Sequence, residues 1–417
     1  MGEAHTTGVR QAVRRDIRRL AELWAHAFPG ERTVEQRVRQ LEEGGVFGGI
    51  DQAWYIERDG RVAGAFRAYA LTQYLHGAAT PMLGLAAVAV AADARRAGIG
   101  TQLCAAAVRI GRERGDLVSV LYPFRPDFYR RLGWGLVGSL HAYRFAPGQL
   151  PVTMARPAVR LAGAELLPGV YACYEDVARA GHGPIQRTAA IWRQHLAPGT
   201  RHVYACAESD GVRGYALISY GRSRSPDRRP LVVHELVARD RAARAELYSW
   251  LSLQRDAWGT IRYDALPEER LDLLLDDPRP RGYRPQRVLW APTARILRGP
   301  MLRVLDLKGL LEARPEWPAV PPFDLALQLR DELLPENEGP WHVAFDGRRV
   351  TCTRTDGRPG AVAATLTIDA TGFAQVFAGE LRAGDAARLG MAEVSGDVDG
   401  LDALFHSERT LRLLDEF

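Results

Sequence analysis

Residues Leu85–Ile110 read LAAVAVAADARRAGIGTQLCAAAVRI. The run up to Val90 is short, apolar and strand-like, and a polar turn follows it. A loop carrying Gly98 and Gly100 comes next, and a helix pattern begins at Thr101. A strand that feeds a glycine loop and then a helix is a phosphate-holding arrangement. Glycine lets the backbone turn tightly and bring its amides close to an anion. The free N–H groups of the helix start, and its dipole, aim at the same point. Arg95 and Arg96 add charge-assisted donors. No Gly-Lys-Ser/Thr follows, so this is not a Walker A loop, and the spacing does not fit G-x-G-x-x-G.

Downstream, Leu117–Tyr122 (LVSVLY) reads as a second strand and leads into PFRPDFYRRLGWG, which ends at Gly135. Upstream, Val9–Val13 reads as a strand. Asp16–Ala27 is a helix with Ile17, Leu20, Leu23 and Trp24 at helical spacing, and Val34–Glu43 is a second. Ala53–Arg58 and Arg61–Leu71 flank Asp59-Gly60, a hairpin signal. His141–Phe145 reads as the last strand of this region. Residues 1–8 read as a frayed tail. Trp24 and Trp54 read as core aromatics, and neither they nor His26, Phe28 and Tyr69 are assigned to a site.

From Val159 the pattern restarts. A strand precedes helices at Leu166–Ala180 and Ala189–His195. Val203–Ala207, the turn Asp210-Gly211 and Gly214–Tyr220 repeat the hairpin. Leu231–Val237 (LVVHELV) stands where LAAVAV stood, and ARDRAARAELYSWL replaces the glycine loop. Without the glycines this copy cannot close on a pyrophosphate. His234 reads as a buried, hydrogen-bonded histidine. Pro278–Pro292 is rich in proline and arginine and marks a boundary. Beyond it, Met301–Leu307, Phe323–Arg330, Trp341–Phe345, Arg349–Arg354 and Ala363–Ile368 read as strands. Leu310-Leu311, Gly372–Ala378, Ala383–Leu389 and Leu401–Phe405 read as helical, which together is an α+β pattern.

A length of 417 residues suits two to four domains. The residues are 47% hydrophobic and 25% charged, as in an ordinary globular protein. No apolar run is long enough to span a membrane, and the N-terminus lacks the apolar core of a signal peptide, so the expected location is cytoplasmic. The net charge is +5, but all the basic residues except Lys308 are arginines, and no basic run interleaves with aromatics. Nucleic acid is therefore not expected as a partner. Cys104, Cys173, Cys206 and Cys352 are scattered without metal-ligand spacing, and no metal is expected.

Arg95-x-x-Gly98-x-Gly100 is similar to the R/Q-x-x-G-x-G/A pyrophosphate loop of the GNAT acetyltransferases. Phe128-Tyr129-x-x-x-Gly133-Trp134 is similar to the other half of their acetyl-CoA site. Together with the long C-terminal remainder ending in Asp415-Glu416-Phe417, the chain resembles the Eis (enhanced intracellular survival) acetyltransferases. The resemblance implies two GNAT-fold α/β domains in tandem, the second degenerate, and a C-terminal sterol-carrier-like α+β domain. The corresponding boundaries are 1–150, 151–297 and 298–417. It also implies a homo-oligomer, specifically a hexamer, and acetyl transfer from acetyl-CoA to a primary amine such as a polyamine, an aminoglycoside-like molecule or a lysine side chain. The residues expected at acetyl-CoA are Val88, Ala89, Val90, Arg95, Arg96, Ala97, Gly98, Ile99, Gly100, Thr101, Phe124 and Arg125.

Acyl transfer to an amine needs an oxyanion donor, an acid for the leaving thiolate and a base for the amine proton. The Val88–Val90 strand offers backbone N–H groups for the first. Tyr129, expected at the start of the helix after the splayed strand, is the acid. A phenol has a pKa of about 10 and a thiol of about 8.5, so Tyr129 holds its proton at neutral pH. The chain stops on an apolar residue after Leu411, Leu413 and Leu414. In the Eis family the terminal carboxylate enters the active site as the base, which implies that role for Phe417. The alternative is an acyl-CoA-binding regulatory or lipid-carrying protein without amine turnover.

Overall fold

The computed structural model describes residues 8–197, 199, 201–208, 211–223, 229–279, 290–357 and 360–417. The expected tail at 1–7, Asp210 of the second hairpin turn, and 280–289 of the expected boundary lie outside the described residues.

The first stretch runs β1 (Val9–Gln11), α1 (Ile17–Ala27), α2 (Val34–Glu43), β2 (Ala53–Arg58), β3 (Arg61–Leu75), β4 (Ala78–Val90), α3 (Ile99–Arg114), β5 (Val118–Leu121), α4 (Pro126–Arg130) and β6 (Gly135–Leu136). Helix α1 buries Ile17, Leu20, Ala21, Leu23 and Trp24 on one face. A reciprocal capping box between Thr33 and Gln36 starts α2. The two hairpins turn on Asp59-Gly60 and His76-Gly77, all four residues with positive φ. That is the signature of the turn that matches strand twist.

The chain continues through β7 (Ser139–Phe145), β8 (Val159–Leu161), α5 (Leu167–Arg179), α6 (Ala189–His195), β9 (His202–Glu208), β10 (Gly211–Tyr220), β11 (Pro230–Ala238), α7 (Arg241–Ser252), β12 (Thr260–Ala265), α8 (Leu271–Leu274) and β13 (Arg295–Arg298). Last come β14 (Met301–Val304), α9 (Leu307–Ala313), β15 (Phe323–Arg330), β16 (Trp341–Phe345), β17 (Val350–Arg354), β18 (Ala364–Asp369), α10 (Ala370–Phe377), α11 (Ala383–Arg388), β19 (Ala392–Gly396) and α12 (Val398–Leu404).

These elements form two compact units. One holds residues up to 137 together with 300–408 and 415–417, and the other holds 138–299 with 409–414. The first unit contains a seven-stranded sheet in the order β1-β2-β3-β4-β5-β14-β6 and a five-stranded sheet in the order β17-β16-β15-β18-β19. The second unit has a seven-stranded sheet in the order β13-β7-β12-β11-β10-β9-β8. In the first unit α3 packs on one face of its sheet, where Leu103, Cys104 and Ala107 meet Phe66, Leu83, Trp134 and Met301. Helix α1 packs with Tyr55 and Ala65 in a separate cluster.

Three expectations need correction. The strand around His141–Phe145 does not complete the first sheet, because β7 pairs antiparallel with β12 and β13 in the second unit. The first sheet is instead completed by β14, which pairs antiparallel with both β5 and β6. All four residues of β14 are buried, as befits a central strand covered on both faces. Alternation identifies a strand, but its partner is chosen by non-local packing. Tyr129, in turn, lies one residue from the end of α4, after β5 rather than after β4. The β3–β4 ribbon also extends well beyond the run read from sequence, to Leu75 and back from Ala78.

Candidate active site

Strand β4 is paired with β3 along its whole length, but the register slips between Ala65 and Arg67. The slip leaves an extra residue on β4, and Ala87 takes φ +49° there. The indole Nε1 of Trp24 donates to the Ala87 carbonyl at 2.7 Å. On its other side β4 pairs with β5 only from Met82 to Gly84. The remainder, including Val88, Ala89 and Val90, has no ladder partner on β5, so the sheet splays and offers backbone groups along one edge of the opening.

The opening faces the start of α3. Arg96 (φ +64°) and Gly98 (φ +76°) both have left-handed backbone, and Gly98 is the residue that caps α3. No side chain caps the helix, so its first N–H groups are unfilled. A side chain at Gly98 would find space but not a comfortable backbone, whereas a Cβ at Gly100 would stand 3.2 Å from the Phe128 ring. The two glycines thus serve different needs: one makes the turn, the other lets the next motif pack. Arg95, Arg96, Ala97, Gly98 and Thr101 are exposed around the cradle. Ile99 is 1% exposed and points its side chain into the core, so only its amide is available to a ligand.

After β5 the rings of Phe124, Phe128 and Tyr129 cluster with centroids 5.0 to 6.4 Å apart. Trp134 closes the cluster at 6.1 Å from Tyr129. Phe124 is 68% exposed. The Arg125 guanidinium forks on Asp127 through Nε and Nη2, with its closer contact at 2.7 Å. Tyr129 is buried, and burial, with the neighbouring Cys104, holds its phenol above the ordinary range. It is protonated throughout the neutral range.

The last residues of the chain also belong to this unit. The Phe417 ring lies edge-on to Phe47 and Tyr69, with centroids at 6.1 and 6.4 Å, and tilted against Tyr122 at 5.7 Å. It rests on Gly84, where a Cβ would come within 3.1 Å of it. Gly84 is the last residue of β4 paired to β5, so Phe417 sits where the strands part. The Tyr122 hydroxyl donates to the Asp415 carbonyl at 3.1 Å, and Asp415 is itself buried. Burial, followed by the charges of Asp415 and Glu416, raises the Tyr122 phenol.

Sequence reasoning missed Phe47, Gly84 and the role of Trp24, and left Tyr69 out. Gly84 could have been found, since an isolated glycine inside an apolar strand run marks a close approach. The loop residue Phe47 carries no signal of its own.

The second unit repeats the strand geometry without the cradle. A register slip between Leu217 and Ile218 leaves His234 unpaired on β11, and its Nε2 is hydrogen-bonded to Ser219 Oγ at 2.7 Å. Strand β11 pairs in parallel with β12 only from Pro230 to Val233. Just beyond, the buried Glu235 is gripped by both Arg187 nitrogens, at 3.0 and 2.5 Å, and by the Tyr215 hydroxyl. Arg187 in turn stacks over Tyr174 and Trp192, 3.9 and 4.7 Å from the ring centroids. Helix α7 is capped by its own carboxylate: Asp240 accepts from the Ala243 amide at 2.8 Å and pairs with Arg213. An acid at that position satisfies the helix start and repels an anion.

Burial alone would raise the Glu235 carboxyl, but Arg187 and Tyr215 more than reverse this and hold it at about 2. Since that is below the unfolded value of about 4.3, its stabilisation is present above that pH and lost as the pH falls toward 2. Melting curves of the wild type should show this acid-side loss. Glu235→Gln should remove the dependence and cost about 3–5 kcal/mol at pH 7, because Arg187 is left buried without its partner.

Three domain descriptions match the chain in order: an acetyltransferase (GNAT) domain over residues 8–137, a second over 183–304, and a sterol carrier protein domain over 307–411. The N-acetyltransferase Eis of Mycobacterium tuberculosis is 27% identical over 359 residues, 81% of each chain. A Streptomyces avermitilis protein named as an uncharacterized N-acetyltransferase is 29% identical over 67% of this chain and 68% of its own. The fold matches the crystal structure of Eis1 from Mycobacterium abscessus with a TM-score of 0.78 and 22% identity, over 99% of this chain and 100% of that one. A GCN5-related N-acetyltransferase from Anabaena variabilis matches with a TM-score of 0.80 and 22% identity, over 98% of this chain and 99% of that one.

The chain is a homologue of the Eis N-acetyltransferases.

As an Eis-type enzyme it carries two GNAT domains in tandem and a sterol-carrier-like C-terminal domain. Among the described residues no helix is long and apolar enough to cross a membrane.

Proposed function

We propose that this Eis-type enzyme transfers the acetyl group of acetyl-CoA to a primary amine at the splay of β4 and β5. The observation that carries the reading is the unpaired stretch of β4 beyond Gly84 beside an uncapped, glycine-started helix. Amides of residues 96–101, with Arg95 and Arg96, hold the pyrophosphate. The unpaired Val88–Val90 edge receives the pantetheine arm and donates to the thioester oxygen as it gains charge. The neutral amine attacks the carbonyl carbon, the C–S bond breaks, and the departing thiolate takes the Tyr129 proton. The amine proton passes to the Phe417 carboxylate, directly or through a water. The acceptor is a polyamine, an aminoglycoside-like amine or a lysine side chain, and the family resemblance adds a hexameric assembly. The second unit, with Asp240 on its helix start, takes no CoA.

Release of CoA upon mixing with acetyl-CoA and a panel of amines, followed with a thiol reagent, tests the reading. No amine-dependent release across the panel would favour a carrier or regulatory role instead. The assay suits this chain because its four cysteines are all buried. Burial pushes Cys104, Cys206 and Cys352 up to about 12 and Cys173 to about 11, with a hydrogen bond to Glu246 adding at Cys206. Thiolates are the reactive form, so the native protein should give almost no thiol titre and the denatured protein all four.

Replacing Arg95 and Arg96 together by alanine should raise the Michaelis constant for acetyl-CoA about tenfold or more, from two lost charge-assisted contacts. Arg241→Ala, at the start of α7, should leave acetyl-CoA affinity as it is. Calorimetry reads both, and an unchanged affinity in the double variant would remove the loop from the site.

A further inference from the structure

The segment that carries Tyr129 is weak by itself. Helix α4 spans five residues and β6 only two, too little local structure to hold a side chain in register. The carbonyls that leave this segment are met from the C-terminal region. Thr371 Oγ1 donates to the Arg130 carbonyl at 2.8 Å, and Gln375 Nε2 to the Leu136 carbonyl at 2.9 Å. Between them Arg303 Nη1 donates to the Leu132 carbonyl at 2.5 Å. Arg303 is 1% exposed, paired with Asp331 and stacked over Trp134, the ring that backs Tyr129.

The glycines of this motif answer to the same contacts. A Cβ on Gly133 would collide with the Arg303 guanidinium. A Cβ on Gly135 would lie 2.5 Å from the Thr371 carbonyl oxygen and 2.7 Å from Gln375 Cγ. Gly133 and Gly135 are therefore required by the approach of the C-terminal region, a demand separate from any ligand.

We propose that the sterol-carrier-like domain, through Thr371 and Gln375 and together with Arg303 of β14, serves the reaction as the support of Tyr129, the three acting as positioning residues that fix the Arg130–Leu136 backbone. The inference rests on the reading of Tyr129 as the acid. A proton donor about 1 Å out of place costs on the order of a hundredfold, and one tether of three a fraction of that.

Thr371→Val keeps the shape of the side chain and removes its donor, whereas Thr371→Ser keeps the donor. In the full-length enzyme Thr371→Val should lower kcat about tenfold, with the Michaelis constant for acetyl-CoA within about twofold, and Thr371→Ser should restore turnover. In a Tyr129→Phe background Thr371→Val should add no further loss, since nothing is left to position. Wild-type turnover in Thr371→Val would overturn the inference and leave the acid reading standing. So would an equal further loss in the Tyr129→Phe background. If Tyr129→Phe alone turns over normally, the acid reading fails and takes this inference with it. Should Thr371→Val not fold, Gln375→Met, which removes the donor to Leu136, is put through the same measurements.

Discussion

Tyr129→Phe should lower the turnover number by about a hundredfold or more while acetyl-CoA binding is retained, the scale on which a general acid acts. The substitution isolates the proton. The ring keeps its neighbours Phe124, Phe128 and Trp134, so packing and stability change little. Burial holds the phenol above its ordinary value, which fixes the sign of the pH effect. The acid stays loaded as pH rises, and no decline in kcat assignable to Tyr129 should begin below about pH 10. Single-turnover kinetics with isothermal calorimetry separate chemistry from binding. Near-normal turnover in the variant would reduce Tyr129 to a packing residue.

The second large effect is at Phe417. Fusing a short polar tag after this residue converts its carboxylate into an amide, and acetyl transfer should fall to background with folding and acetyl-CoA affinity kept. Deleting Phe417 should do the same. Phe417→Ala separates the two roles of the residue. It keeps the carboxylate and removes the ring that rests on Gly84 between Phe47, Tyr69 and Tyr122. Partial activity is expected, because the base remains but loses its seat. A terminal carboxylate has a pKa of about 3.5 in water, so it acts as a base only where desolvation raises that value or a water relays the proton. Full activity in the tagged enzyme would remove the carboxylate from the mechanism.

Much of this was legible in the residue order, because the chemistry depends on local geometry. Gly98 announces a left-handed turn and Gly100 a close neighbour. The missing glycines before Arg241 announce a copy without a cradle; that Asp240 caps α7 came only from the structure. The terminal DEF was visible for the same reason: a large apolar residue at a chain end asks what covers it. Illegible was whatever depends on partners far along the chain. His141–Phe145 and the first part of Met301–Leu307 form strands as read, with Leu307 opening α9 instead, but nothing in AYRF or MLRV says which sheet each joins. Arg303 looked like one more arginine among many, although it is fully buried against Asp331. Gly133 pointed to a ligand site by motif, whereas the tightest contacts of Gly133 and its neighbour Gly135 are with Arg303, Thr371 and Gln375. The edge strand β19 escaped because none of its five residues is fully buried and it shows no apolar face, unlike the equally short β16.

The insertion of β14 between β5 and β6 has a consequence for synthesis on the ribosome. Both neighbours of the gap leave the exit tunnel long before Met301 does. At about 5–20 residues per second the interval is roughly ten to thirty seconds, during which β5 presents an unpaired edge. Over that time the open edge is a template for wrong pairing. The nascent chain also lacks Arg303, Thr371, Gln375 and Phe417 until translation is nearly over, so on the mechanism proposed above acetyl transfer would start only once the ribosome has finished. On the same proposal, truncated products would carry the pyrophosphate loop without the means to use it.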